Sequence, residues 1–268
     1  MIFFELAQIT TNEQAMIKYP TSLTNSQWQC IKKYLNDHRK RKIRLRRVWD
    51  AILYQLKTGC QWRMLPKEFG SWSTVYYYFR KWLTRGVLYR VQAQLRGLVR
   101  EKFSREESPS LGIIDSQSVK NSERGVIDKG FDGNKRIRGR KRHIVVDTLG
   151  MLMCVVVTAA NVHDSVAAEQ VIKRMSGAFP RLKKLLADGG YAGERLVALA
   201  KKELNARFEV VTRSDEVGFK VIPKRWIVER SISWFMWHRR LCKDYEANLE
   251  SCEGWILVAS IAMMINKI

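Results

Sequence analysis

Two short apolar runs that each close on an aspartate, GIIDS at 112–116 and LLADGG at 185–190, constrain this chain more than any other feature. Runs of that length bounded by turn residues are strands rather than helices. HIVVDTLGMLMCVVVT (143–158) lies between them and predicts two more strands around a turn at Thr148–Gly150. SVAAEQVIKRM and ERLVALAKKEL have helical spacing, FEVVT is a further strand, and 225–241 is helical again. Strands and helices in that order predict a mixed α/β sheet flanked by helices.

The chain ahead of this pattern has a different character. Residues 1–19 read as an appendage, 20–100 as a small all-α domain, 101–110 as a charged linker and 111–268 as the α/β domain. RKRKIRLRR (39–47) feeds a helical stripe of Val48, Trp49, Ile52, Leu53 and Leu56, which Gly59 stops. SWSTVYYYFRKWLTRG (71–86) forms a second helix, with Ser71 or Ser73 as N-cap and Gly86 as stop. Two helices around a short glycine turn suit a helix-turn-helix-like reader of DNA, with Arg80 and Lys81 on its second helix. The alternative is a helical bundle whose aromatics are core.

Charge names the partner class. The 48 Lys and Arg against 26 Asp and Glu leave +22, which repels itself unless a polyanion is near. Nucleic acid is the first candidate. The longest apolar run, WILVASIAMMI at 255–265, is about half of the roughly 20 residues a membrane span requires, which argues against a membrane protein. The five cysteines are scattered with no C-x-x-C, so they read as thiols of a reducing compartment, the cytoplasm or bacterial nucleoid. Two clusters are candidate phosphate contacts: Arg39, Lys40, Arg41, Lys42, Arg44, Arg46 and Arg47, then Lys135, Arg136, Arg138, Arg140, Lys141 and Arg142 in a glycine-rich stretch that predicts a phosphate-tracking loop. His163 and Asp164 resemble a ligand pair, but such a pair also caps the helix that follows.

In KRWIVERSISWFMWHRRLCKDYE (224–246) a lone acid, Glu229, stands among tryptophans and arginines. At 100° per residue, Arg225, Ser233, Met236 and Arg240 share its face, while Trp226, Trp234, Trp237, Ile227 and Leu241 form an apolar stripe. This predicts a largely buried helix with one narrow polar face. A structural ion-pair cluster would explain that face. So would a shared site with Asp115 and Asp188, since acids at adjacent strand ends meet in one crevice. Three converging carboxylates repel one another without a counter-ion. They suit two Mg²⁺ ions, with Mn²⁺ as substitute, held about 4 Å apart for in-line phosphoryl chemistry. Arg225 and Arg240 would then hold phosphate. Arg230, Arg239 and Lys243 of the same stretch join them as DNA contacts.

These motifs carry a resemblance. GIIDSQSVK, GRKRHIVVDTLG, ANVHDS, LLADGGYAG and RWIVERSISWF…RRLCKDYE, preceded by LTNSQWQCIKKYL…GCQWRMLP…SWSTVYYYFRKW, resemble the bacterial insertion-sequence transposases of the group named after insertion sequence five. The resemblance implies a ribonuclease H-like catalytic domain with Asp115, Asp188 and Glu229 as the metal-binding DDE triad. It also implies binding of double-stranded DNA at terminal inverted repeats, strand cleavage and transfer, and assembly as a homodimer or larger on paired ends. The chain departs from the pattern around the glutamate: Ile222 stands where many relatives have tyrosine, and Met236 and Trp237 where a basic residue is usual. A metal-dependent nuclease without strand transfer, and a DNA-binding copy without catalysis, are the rival readings.

Overall fold

The computed structural model describes residues 18–35, 43–122, 125–211 and 225–268. Residues 1–17 of the expected appendage, Arg39, Lys40, Arg41 and Lys42 of the basic run, and Ile222 lie outside the described residues.

Four helices come first: α1 (Asn25–Lys32), α2 (Leu45–Thr58), α3 (Trp72–Thr84) and α4 (Val87–Lys102). Local chemistry sets their ends. Thr24 and Gln27 form a reciprocal capping box on α1, and Gly59 ends α2 in the left-handed region at φ 70°. Trp49 stacks on Trp82, and Val75, Phe79 and Leu83 of α3 are buried, so the aromatics of this region are largely core.

The strands are β1 (Leu111–Lys120), β2 (Gly130–Asp132), β3 (Ile137–Val146), β4 (Leu152–Ala159), β5 (Lys184–Ala187) and β6 (Arg207–Val210). They form one mixed sheet in the order β2-β3-β1-β5-β6, with β4 also on β3. The β1–β3 and β3–β4 pairs are antiparallel, whereas β1–β5 and β5–β6 are parallel. Alternation sends Ile114, Val145, Val156, Leu185 and Ala187 to a core shared with α5 (Asp164–Met175) and α6 (Glu194–Leu204). It sends Ile113, Ile144, Val155, Val157 and Leu186 to the other core, beneath α7 (Arg225–Met236), α8 (Arg239–Cys242) and α9 (Leu249–Ile265). This curled mixed sheet with helices on both faces is the ribonuclease H-like arrangement that the resemblance implies.

Helix α9 joins the two regions. It is apolar around almost its whole circumference and buried from Ser251 to Ile261, packing on β4 on one side and on α2, α3 and α4 on the other. One continuous core therefore runs from Leu23 to Ile265, across the expected linker at 101–110. The WILVASIAMMI run is this core helix. Among the described residues no helix is long and apolar enough to cross a membrane.

The basic run at 135–142 differs from the loop expected there. Ile137–Val146 is a strand paired with β1 through eight residues, and β2 folds back onto its start. Arg140, Lys141 and Arg142 are buried in that strand rather than offered to solvent. All five cysteines are free: Cys154 and Cys252 are buried, while Cys242 is exposed.

Candidate active site

Asp115 lies in the middle of β1 rather than at its end, because β1 continues to Lys120 against β3. Its parallel partner β5 stops at Ala187, so the crevice opens where β5 ends. The last paired residues are Ile113 and Leu186, so Asp115 lies two residues further along β1 and Asp188 just past the end of β5. Alternation returns Asp115 to the side of Ile113, toward α7, and the Asp188 carboxylate meets Arg225 of α7.

Asp188 caps the 3-10 turn Gly189–Tyr191, and its Oδ1 accepts the Gly190 N–H at 3.1 Å. Its Oδ2 lies 3.8 Å from the Arg225 guanidinium. The same Arg225 nitrogen is 3.5 Å from Glu229 Oε1, one turn further along α7. The Asp188 and Glu229 oxygens are therefore no further apart than those two distances laid end to end. Helix α7 comes this close because Ser231 donates to the Gly150 carbonyl at 3.0 Å. A Cβ on Gly150 would lie 2.6 Å from Ser231 Oγ, so glycine is required at that turn.

Asp115 is strongly perturbed. Burial pushes its carboxyl up to about 6, Asp188 pushes in the same direction, and the Ser116 N–H, Arg225 and Lys135 work against the rise. Lys135, exposed at the crevice, donates to the Ser116 carbonyl at 3.1 Å. Among the described residues no three His, Cys, Asp or Glu side chains converge closely enough to form a ready-made ion site. Arg225 stands between the acids instead. The donor set still fits a hard divalent cation: it consists of carboxylate oxygens, with one removable guanidinium between Asp188 and Glu229.

The other expected contacts divide by burial. Arg44, Arg136, Arg138 and Arg239 are exposed, and Arg47 and Lys243 are half-buried. Arg46 is occupied by Asn25 and the Leu23 carbonyl. Arg80 binds Glu250 and Ser251 of α9, tying α3 to the sheet region, while Lys81 lies over the Tyr77 and Tyr78 rings. Arg230 lies 4.5 Å from both Trp226 and Trp234.

Four basic residues are corrected from phosphate contacts to structural ones. Fully buried Arg140 pairs with Asp244 at 3.0 Å and donates to the carbonyls of Ile127, Glu246 and Ala247. Arg142 reaches Gln117 and the Leu241 carbonyl. Lys141 lies beside Asp164 and Asp132. Arg240 pairs with buried Glu246 and faces Trp255. A buried cation must be compensated inside the protein: Arg140, Lys141 and Arg240 each have a carboxylate partner, and Arg142 has the Gln117 and Leu241 oxygens. The apolar stripe on α7 is corrected as well: Trp226 is 46% and Trp237 69% exposed, while Ile227, Val228, Ser231 and Phe235 form the buried side. His163 is the N-cap of α5, accepting the Ser165 N–H. Asp147 takes the N–H groups of Leu149 and Met151 and pairs with Arg100, a turn acid outside the site.

A mixed sheet of this order, with one aspartate in β1, another just past β5 and a glutamate on the covering helix, agrees with the DDE arrangement expected from the sequence. The chain belongs to the transposase DDE domain family, whose profile matches residues 106–263. Residues 23–92 match a second family, described as "Putative transposase of IS4/5 family". A relative from Burkholderia cepacia, "Putative transposase for insertion sequence element IS402", is 32% identical over 115 residues, which is 40% of this chain and 54% of that protein. The chain thus matches about half the length of that relative. No solved structure matches the chain.

Proposed function

We propose that this protein binds the terminal inverted repeats of its own mobile element, cleaves the phosphodiester there and transfers the freed 3′-OH strand into target DNA. One observation carries the reading: Asp188 follows the strand paired with the one that holds Asp115, and a single Arg225 nitrogen lies 3.8 Å from Asp188 and 3.5 Å from Glu229. In this reading Asp115, Asp188 and Glu229 hold two Mg²⁺ ions, with Mn²⁺ as substitute. The bound ions supply Lewis acidity to the attacking and leaving oxygens. Arg225 exchanges its carboxylate contacts for a phosphate oxygen, which frees Asp188 and Glu229 as donors. Lys135, beside Asp115, neutralises the phosphate on the β1 side. The buried Ile113, Ile144, Ile227 and Val228 beneath the crevice keep water from its floor.

Arg44, Arg47, Arg136, Arg138, Arg230, Arg239 and Lys243 follow the DNA backbone away from the site, and Arg39, Lys40, Arg41 and Lys42 of the basic run add phosphate contacts. Two copies of the chain on paired ends bring the two reacting strands together.

The test is incubation of the purified chain with a plasmid carrying the DNA that flanks its gene, in Mg²⁺, Mn²⁺ or chelator. Cleavage at the repeat ends, lost with chelator and with Asp188→Asn, is expected. Absence of metal-dependent cleavage of any DNA would sink the reading, and cleavage without joined products would reduce it to a nuclease.

A further inference from the structure

A polar cluster behind Asp188, on the α5 side of the sheet, is not used by the triad. Asp164 Oδ1 lies 3.1 Å from Lys141 Nζ and 3.8 Å from His143 Nδ1. His143 Nε2 is 3.1 Å from Thr158 Oγ1, and Lys141 Nζ donates to the Val162 carbonyl at 3.1 Å. His143 and Tyr191 are fully buried, and Lys141 nearly so. Apolar residues would stabilise this face at least as well, so the cluster calls for a reason other than stability.

The second oxygen of Asp164 supplies one. A methyl on Gly190 would lie 3.4 Å from Asp164 Oδ2 and 3.2 Å from Asp188 Oδ1. The two carboxylates thus flank a single glycine. His163 fixes the start of α5, so Asp164 is presented from a rigid first turn. Tyr191, the last residue of the same turn, is fully buried, and burial, then Asp164 and Asp115, pushes its hydroxyl well above its usual range.

We propose that Asp164 is a positioning residue for Asp188: anchored on Lys141, it packs against Gly190 and fixes the turn that aims the Asp188 carboxylate toward Asp115. The proposal rests on the role given to Asp188 above. A turn that begins Gly189–Gly190 has little rigidity of its own, and a working carboxylate must be held to within about 0.5 Å. Lys141 offsets the charge that Asp164 would otherwise set against Asp188.

Two full-length variants test this. Asp164→Asn removes the ion pair with Lys141. Gly190→Ala keeps every charge and wedges a methyl between the two carboxylates. Gly190 is not among the glycines with positive φ, so its backbone accepts alanine. Amide hydrogen exchange across 188–192 should quicken at least tenfold in both variants while β1, β3 and β5 keep their protection. The kcat for cleavage should fall at least tenfold with KM for DNA little changed, a split that general loosening of the fold would not produce. Unchanged exchange, or faster exchange with wild-type kcat, would overturn the proposal. If Asp164→Asn does not fold, Gly190→Ala decides alone. If the wild-type chain cleaves no DNA, the functional reading fails, and exchange alone decides whether Asp164 holds the turn.

Discussion

The Arg225 guanidinium lies 3.8 Å from the Asp188 carboxylate, so the first turn of α7 is tied across the crevice to the end of β5. With Glu229 at 3.5 Å from the same nitrogen, Arg225 acts as the counter-ion of a site whose acids come from different elements. Arg225→Ala should leave those acids uncompensated. Its melting temperature without divalent ions should drop, and millimolar Mg²⁺ should raise it by more than it raises the wild type. Equal Mg²⁺ responses in thermal melts would show that Arg225 does not shield the acids.

Asp115→Asn, Asp188→Asn and Glu229→Gln should each abolish metal-dependent cleavage while DNA affinity stays near wild type, since the amide keeps the shape and loses the charge. Stability separates them. Burial and Asp188 raise the Asp115 carboxyl, so the folded state disfavours its charge at neutral pH. Asp115→Asn should therefore melt no lower than wild type, and a clear fall in melting temperature would contradict that electrostatic account.

Arg140→Met and Arg138→Gln should behave oppositely although the residues are two apart in one basic run. Arg140 is enclosed with Asp244, and removing one partner of a buried pair costs about 3–5 kcal/mol. Urea denaturation reads that loss. Arg138 is exposed, so its replacement should leave stability unchanged and flatten the log–log dependence of DNA affinity on salt, by about 1 in slope if it neutralises one phosphate. An Arg140 variant of normal stability would show that the pair contributes little.

Acid should loosen the fold before most of the carboxylates titrate. Burial pushes His143 and His238 down to about 4, from 6.5 for an ordinary histidine. Between those values the unfolded chain takes up protons that the folded chain does not, so stability falls as pH falls through that window and is unaffected by these groups above it. Asp115, raised to about 6, and Glu246 and Glu253, also raised by burial, act in the opposite sense, so the drop is best read in the Asp115→Asn background at pH 7.5, 6 and 5. The urea midpoint should drop between pH 6 and pH 5, and His143→Gln should shrink the drop.

The sequence shows Asp115 and Asp188 because each follows a compact apolar run, and Glu229 because it is the only acid between Lys224 and Lys243. What it hides is long-range partnership. Nothing near Arg140 or Arg142 reveals that Asp244 and Leu241, about a hundred residues on, come to meet them, so a basic run in a central strand looks like a loop. Nor does apolarity alone orient α7. The tryptophans form a stripe on the helical wheel, but the sheet takes the side with Val228, Ser231 and Phe235, because Gly150 admits close approach only there. Asp164 shows in sequence as part of a helix cap, and its second carboxylate oxygen becomes visible only where α5 meets the turn at Gly190.

Helix α9 has a bearing on the order in which the chain matures. The four N-terminal helices are complete by Lys102, yet the surface they share with α9 stays open until Leu249–Ile265 is available. Contacts spanning so much chain form slowly, and until they form Trp49, Phe79 and Leu95 face water. A ribosome that stops early would release an adhesive intermediate with no working crevice, because Arg240, Asp244 and Glu246 are missing from it too. Breakage or frameshift between Lys102 and Leu249 thus removes the helix on which both regions pack, and shortened products of the gene should be cleared by aggregation or proteolysis instead of persisting as folded fragments.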